Sequence, residues 1–521
     1  MTSDTPRPTP PAAASQSATS PAVLTGRRAV VIGGGISGLA AARRLALAGC
    51  SVTVFEASDR LGGLIRGVQL GDHLVDVGAE AFAIARPETL ELIHNLGLDD
   101  ELVWPAQSSA RIRSVDAAGQ PQLFEIPLGV FGIPASLSDP LVVGAIGAEA
   151  VAEASQLDAQ PWQLDAPGTL AELVETRLGK GVLDVLVTPV VSGVHASHPE
   201  FLEADVVSPG LFARAKEAGS LVAAVAQIVA KRGQGDPASG GSGAAAASAR
   251  PGSAVASLRG GMNRLIDALA ANLAELGVKV VLNAPVQCVL PAGEGYRVVL
   301  AAGHNRSVVT SPTIFSQTHN QSVVTAGLVV VATPPTVAGK ILGSLPALAS
   351  PLSSIHAVNV TVVALQAQNR YIGRAPMGSG VLVAPGDTKI AAKASTHSSA
   401  KWDFIHNDFG QDQHLIRLSY GRDGDAPAAD TPEAIEALIA TARQDAAALY
   451  GIDAIDVSHA VTQEWPGSLI QARTGHLKLL KELAEAQKQY PNLAIVGAGL
   501  GGNGITGILA KLDQQMKQIG A

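Results

Sequence analysis

The sequence predicts an α/β fold in which a nucleotide-binding, parallel-sheet domain is assembled from discontinuous segments, with an α+β region inserted between them. Three observations predict it. Residues 29–55 read strand, glycine turn, helix, strand; helix-to-strand signals return near residues 258–335; and a strand, glycines and a helix close the chain at 485–521.

The first block is the clearest. Ala29 to Ile32 is a short β-rich apolar run, glycines follow at once, and Leu39 to Ala48 has helix-forming composition ending at Gly49, a natural stop. Ser51 to Phe55 is then a second strand, which completes a βαβ unit. In the second block Leu265, Leu269, Leu273 and Leu276 recur at helical spacing before Gly277, and "GLVVVATPP" at 327–335 is a buried strand closed by prolines. The nucleotide domain is therefore expected from 27–95, 258–335 and 485–521, and the inserted region from 96–257 and 336–484. Residues 1–26, rich in Pro, Ser, Thr and Ala, read as a disordered tail, and 232–257 as a low-complexity loop.

Composition narrows the function classes. Hydrophobic residues make up 47% and charged ones 16%, as in a globular chain. Apolar runs are broken by Arg43 and Arg44 or by Glu149 and Glu153, so no transmembrane span is expected, while peripheral membrane contact stays open. The net charge of −8 and the lack of a basic stretch interleaved with aromatics argue against nucleic acid. Cys50 and Cys288 belong to no C-x-x-C pair, which excludes a disulfide framework or zinc ribbon and points to the cytoplasm. His195 and His198 lack a third ligand nearby, so no metal is predicted. The tail has no basic start and apolar core, hence no export signal.

Gly33, Gly35 and Gly38 fit G-x-G-x-x-G between a strand and a helix, where bare backbone lets a pyrophosphate approach unpaired N–H groups. Glu56 ends the second strand 56 − 38 = 18 residues after the last glycine, near the ~20 expected for a carboxylate that accepts ribose hydroxyls. This is a Rossmann-like signature, and by itself it leaves NAD and FAD open. The continuation "FEASDRLGG", with Arg60, Gly62 and Gly63, resembles flavin enzymes related to amine oxidases and phytoene desaturases. That resemblance implies FAD.

Further blocks narrow the resemblance. "VVSGVHASHPEFLEADVVSP", "LRGGMNRLIDAL", "KASTHSSAKW" and "WPGSLIQARTGHLKLLKEL" are similar, in order over residues 28–518, to the protoporphyrinogen and coproporphyrinogen III oxidase family. The resemblance implies flavin contacts at Gly33, Gly34, Gly35, Ile36, Ser37 and Gly38, at Glu56, Arg60, Gly63 and Leu64, and at Gly78, Ala79, Glu80 and Ala81. It places Val286 at the adenine side, and Ala498, Asn503, Gly504 and Ile505 at the isoalloxazine. The chain departs from the family's Gly-Val-Gly-Ile-Pro turn, reading Gly502-Asn503-Gly504-Ile505-Thr506.

The implied chemistry is oxygen-dependent oxidation of coproporphyrinogen III in haem biosynthesis, by hydride transfer to FAD with release of hydrogen peroxide. Alternatives are protoporphyrinogen IX, an amine oxidase, a carotenoid desaturase or a non-catalytic binding protein of the same fold. Because the flavin carries the hard step, no catalytic acid, base or nucleophile is assigned. Gly193 and Val194 are candidates for letting the substrate ring lie close, and equally for an ordinary turn. Arg86 and Arg111 are candidates for gripping a propionate, with Arg113 competing. Dioxygen is the expected co-substrate, a ferrochelatase a possible recipient of the product, and the inner membrane face a possible peripheral location.

Overall fold

A computed structural model describes residues 24–520 apart from 107–108, 117–118, 235–254, 304–305, 312–313, 319–321, 374–375 and 426–429. The expected tail and low-complexity loop therefore lie largely outside the described residues. Their edges are ordered elements. Leu24 is only 3% exposed in the core, and Gly26 donates to the Gly49 carbonyl at 2.9 Å, so the folded chain begins before the expected boundary at 27. On the far side of the loop, Val255–Leu258 is a strand paired with Phe82–Ala83 and Leu102–Val103.

The nucleotide layer is a seven-stranded sheet. Its order is Ile314–Thr318, Ser307–Ser311, Lys279–Leu282, Ser51–Phe55, Arg28–Ile32, Leu328–Val331, Leu493–Ile495. The last five are mutually parallel, and in chain order they run 3-2-1-4-5, the Rossmann arrangement. Strands such as Leu328–Val331, buried at every position, need cover on both faces. Helices Ile36–Leu47, Asn263–Glu275 and Ile505–Met516 cover one face. Helices Pro335–Ile341, Pro346–Ser353 and His476–Gln487 cover the other, with the sheet of Val286–Ala292, Gly295–Leu300 and Val323–Ala326. Residues 336–355 and 476–484, expected in the inserted region, thus pack with the nucleotide layer, because the sheet's second face needs an apolar partner.

The inserted region has two parts. One is a second seven-stranded sheet, ordered Asp456–Ile470, Ala357–Gln368, Gln413–Tyr420, Ala394–His397, Gly380–Val383, Arg111–Val115, Pro121–Glu125. The other is a helical lobe with its own core, whose central helical rod runs from Leu170 to His195 with a kink at Gly179, φ +77°. A capping box starts that rod: Thr169 Oγ1 accepts from the Glu172 amide, and Glu172 answers to the Thr169 amide. At 26 residues and mean hydropathy 1.2 it has the length and composition to cross a membrane, but 67% of the apolar window is buried inside the protein, as in a core helix.

Asp76, ending the strand His73–Asp76, accepts from the Met262 amide at 2.9 Å and so ties that hairpin to the helix Asn263–Glu275. Burial pushes its carboxyl up to about 7 from an ordinary 3.8, outweighing the backbone amides that favour ionisation. A raised carboxyl contributes stability below its unfolded pKa and loses it as pH climbs through the folded one. Asp76→Asn removes that term. The Tm difference, variant minus wild type, is expected to grow between about pH 4 and 7 and level off above; a difference that is flat or shrinks with pH contradicts the assignment.

Candidate functional site

The carboxyl ends of the parallel strands open onto a cavity of about 830 Å³ that continues between the two sheets. Its floor is the glycine turn, where the glycines do different jobs. Gly33 has φ +110°, and a Cβ there would stand 2.6 Å from the Ala332 carbonyl oxygen, so the turn is tight against the neighbouring strand. At Gly38 a Cβ would overlap the Gly33 carbonyl, which only a glycine avoids when helix Ile36–Leu47 packs this closely on its strand. Gly35 is different: a Cβ there would meet nothing nearer than Gly63 Cα at 3.8 Å, leaving bare backbone at the start of a helix and on the cavity wall. A pyrophosphate fits such a cradle.

Glu56 stands at the rim of this turn. Its Oε2 accepts from the Gly34 amide at 2.6 Å, and its Oε1 from Ser58 N and Oγ at 2.9 and 2.8 Å, which fixes the orientation of the carboxylate. The last segment closes the cavity from the opposite side. Helix Ile505–Met516 begins after Gly504, with its positive end at the cavity. The turn's departures from the family pattern have local causes. Asn503 Oδ1 accepts from the Ile470 amide at 2.9 Å while its Nδ2 donates to the Ile470 carbonyl at 2.8 Å, and Thr506 pairs with Thr89 at 2.8 Å. The first two bonds fasten the turn to the second sheet, and the third to the helix Glu88–Asn95.

Between the layers lies a charged knot. Glu80, its side chain 12% exposed, accepts from Lys401 Nζ at 2.7 Å, from Ser398 Oγ at 3.0 Å and from the Arg417 guanidinium, which also donates to the Gly78 carbonyl at 2.6 Å. Burial opposes ionisation of Glu80, yet the Lys401 and Arg417 cations together outweigh it and hold the carboxyl well below the usual range. The knot sits beside Trp465, whose indole donates to the Val77 carbonyl at 2.9 Å.

Of the residues nominated from sequence, Gly33, Gly35, Ile36, Ser37, Glu56, Gly63, Leu64, Gly78 to Ala81, Gly193, Val194, Val286, Ala498 and Asn503 to Ile505 all line the one cavity. Gly34 and Gly38 shape the turn from behind. Arg60 braces it, donating to the carbonyls of Gly63, Leu61 and Ile65. Gly193 lines the cavity for a reason other than the expected one: a Cβ there would come 2.7 Å from Leu382 Cδ2, so its smallness serves helix-on-sheet packing, and it is Val194, 49% exposed, that fronts the space.

Arg86 and Arg111 are not brought to the cavity. Arg86 is exposed on the surface, Arg111 faces Glu125 at 3.9 Å, and Arg113 is held by Asp387 at 2.7 Å. The cations that do line it, Lys393, Lys401 and Arg417, escaped the sequence reading. Two of them lie inside "KASTHSSAKW", which was quoted without a role for either lysine.

Removing one partner of a buried charge cluster leaves the others uncompensated, at roughly 3–5 kcal/mol. Glu80→Gln is therefore expected to lower Tm markedly at neutral pH, with the gap to wild type narrowing as pH falls below the ordinary carboxyl range, because the unfolded chain takes up a proton there that the folded Glu80 still resists. Equal thermal denaturation of the two proteins at pH 7 contradicts the knot's structural role.

The comparisons agree with this geometry. A family model of flavin-containing amine oxidoreductases matches residues 36–506. The coproporphyrinogen III oxidase of Mycobacterium tuberculosis is 30% identical over 515 residues, covering 95% of this chain and 100% of that one. That of Staphylococcus aureus is 24% identical, covering 90% and 93%. A crystal structure assigned to a protoporphyrinogen oxidase of Exiguobacterium superimposes with TM-score 0.75 at 22% identity, covering 95% of this chain and 99% of the other, a likeness of fold. The chain thus belongs to the flavin-containing amine oxidoreductase family and is an FAD-dependent oxidoreductase.

Proposed function

We propose that this protein oxidises coproporphyrinogen III to coproporphyrin III, a step of haem biosynthesis, with dioxygen as final acceptor and hydrogen peroxide as by-product. The observation that carries the reading is the charge of the cavity wall. Beyond the ribose end, Lys401 and Arg417 face the single acid Glu80, and Lys393 adds a further cation. A wall with this excess attracts a carboxylate-bearing ring and repels an ammonium, which favours a porphyrinogen over an amine. The names of relatives matched along nearly their whole length support the same choice.

FAD, when bound, would supply the redox chemistry between substrate and dioxygen. The chain's own groups position and enclose. Gly35 would leave the pyrophosphate room, Glu56 would meet the ribose, and the positive end of helix Ile505–Met516 would favour negative charge on the isoalloxazine by ~0.3–1 kcal/mol. Apolar residues such as Val194, Val360 and Ile470 hold the macrocycle by dispersion and keep water from it.

Purified protein loaded with FAD is expected to convert coproporphyrinogen III into a fluorescent porphyrin with release of peroxide, and to do so with higher kcat/KM than for protoporphyrinogen IX. Peroxide released from amines without porphyrinogen turnover contradicts the reading. Gly35→Val is expected to purify without the flavin absorption bands while remaining folded by circular dichroism; normal flavin content in that variant contradicts the cradle.

A further inference from the structure

Lys393 is the cation of the cavity wall that the described chain leaves uncommitted. Lys401 and Arg417 are bound to Glu80, but the ammonium of Lys393, a residue only 3% exposed, makes no hydrogen bond or ion pair among the described residues. Burial, then the Arg422 charge, push its ammonium down to about 8 against the attraction of Asp425. Asp425 attracts this charge without a hydrogen bond or ion-pair contact, so the donors of the ammonium are left to a ligand in the cavity as partner.

Its place in the sheet says where that partner stands. The Lys393 amide donates to the Ser419 carbonyl at 2.8 Å, which sets this residue on the far side of the strand Gln413–Tyr420. From Trp465 at the cofactor end the order is Asp456–Ile470, Ala357–Gln368, Gln413–Tyr420, then the chain carrying Lys393. Three steps of ~4.8 Å put it roughly 14 Å along the wall. The helix Thr188–His195 packs there too. Its His195 is neutral, since burial and then the Lys393 charge lower its pKa to about 4, and its buried Nε2 has no hydrogen-bond partner among the described residues.

We propose that Lys393 receives a carboxylate of the substrate at the end of the cavity away from the cofactor, and that this contact selects coproporphyrinogen III over protoporphyrinogen IX. The inference rests on the porphyrinogen reading above. A macrocycle with a bridge carbon at the cofactor turns its opposite edge toward Lys393. Coproporphyrinogen carries a propionate on every pyrrole, whereas protoporphyrinogen carries vinyl groups on two of them. A vinyl group at this position leaves the ammonium unsatisfied, and a binding site discriminates strongly against a ligand that strands its buried polar groups.

The test measures wild type, Lys393→Met and Lys393→Arg on both porphyrinogens, with flavin absorbance and Tm recorded for each. Lys393→Met is expected to lose on the order of 10- to 100-fold in kcat/KM for coproporphyrinogen III, mainly through KM, the equivalent of one charged hydrogen bond. Its kcat/KM for protoporphyrinogen IX should change by less than about 3-fold, which flattens the preference, and Lys393→Arg should recover most of the loss. Equal losses on both substrates, or no loss on either, overturn the role of Lys393 while leaving the activity standing. A wild-type protein that oxidises neither porphyrinogen removes the functional reading and this inference with it. Should Lys393→Met fail to retain FAD, Lys393→Gln carries the same comparison.

Discussion

The cavity depends on one close approach, between the ends of the parallel strands Arg28–Ile32 and Leu328–Val331. Gly33 lies so near the Ala332 carbonyl that no side chain fits, and Gly38 lies as tightly on Gly33. That closeness brings the start of helix Ile36–Leu47 to the mouth of the sheet with Gly35 bare. The neighbouring strand Leu493–Ile495 then delivers the final helix to the same mouth. Two positive helix ends from opposite ends of the chain thus converge on one space, an arrangement that suits an anionic dinucleotide.

The second constraint is electrostatic. Glu80 comes from the nucleotide segment, Arg417 from the inserted sheet and Lys401 from the short helix Ser398–Lys401 beside it, and their mutual neutralisation joins the two layers across the cavity. Because a buried carboxylate without cations is so unfavourable, the knot sets the spacing of the layers as well as the charge of the wall. Asn503 adds a neutral version of the same device, holding the C-terminal turn to Ile470 through both atoms of its amide. A turn read from sequence as a departure from the family pattern is thereby a fastening.

What was legible in the sequence is what local geometry dictates. Gly33, Gly35, Gly38 and Gly49 mark positions where a backbone must bend or approach, and Glu56 follows at a separation set by one βαβ unit, so these could be read in a line. The inserted region's site residues could not. Arg417 reaches Glu80 only through the register that pairs Thr396 with Arg417, and Lys393 reaches the cavity only because its chain lies beside Gln413–Tyr420. Arg86 and Arg111 look no different in sequence from Arg417, and only the sheet order separates them. Layer membership was hidden likewise: helices Pro335–Ile341 and Pro346–Ser353 follow the expected boundary, yet the open face of the nucleotide sheet claims them.

The central claim is that the two ends of the chain clasp one FAD whose ring faces the cation-bearing chamber. A crystal structure of the FAD-loaded protein tests it most directly. The account predicts pyrophosphate density against the backbone of Gly33 to Gly38, ribose at Glu56, and the isoalloxazine between Gly78–Ala79 and Asn503–Ile505 with one face open toward Lys393. Flavin density bound elsewhere, or a ring turned away from that chamber, would contradict it.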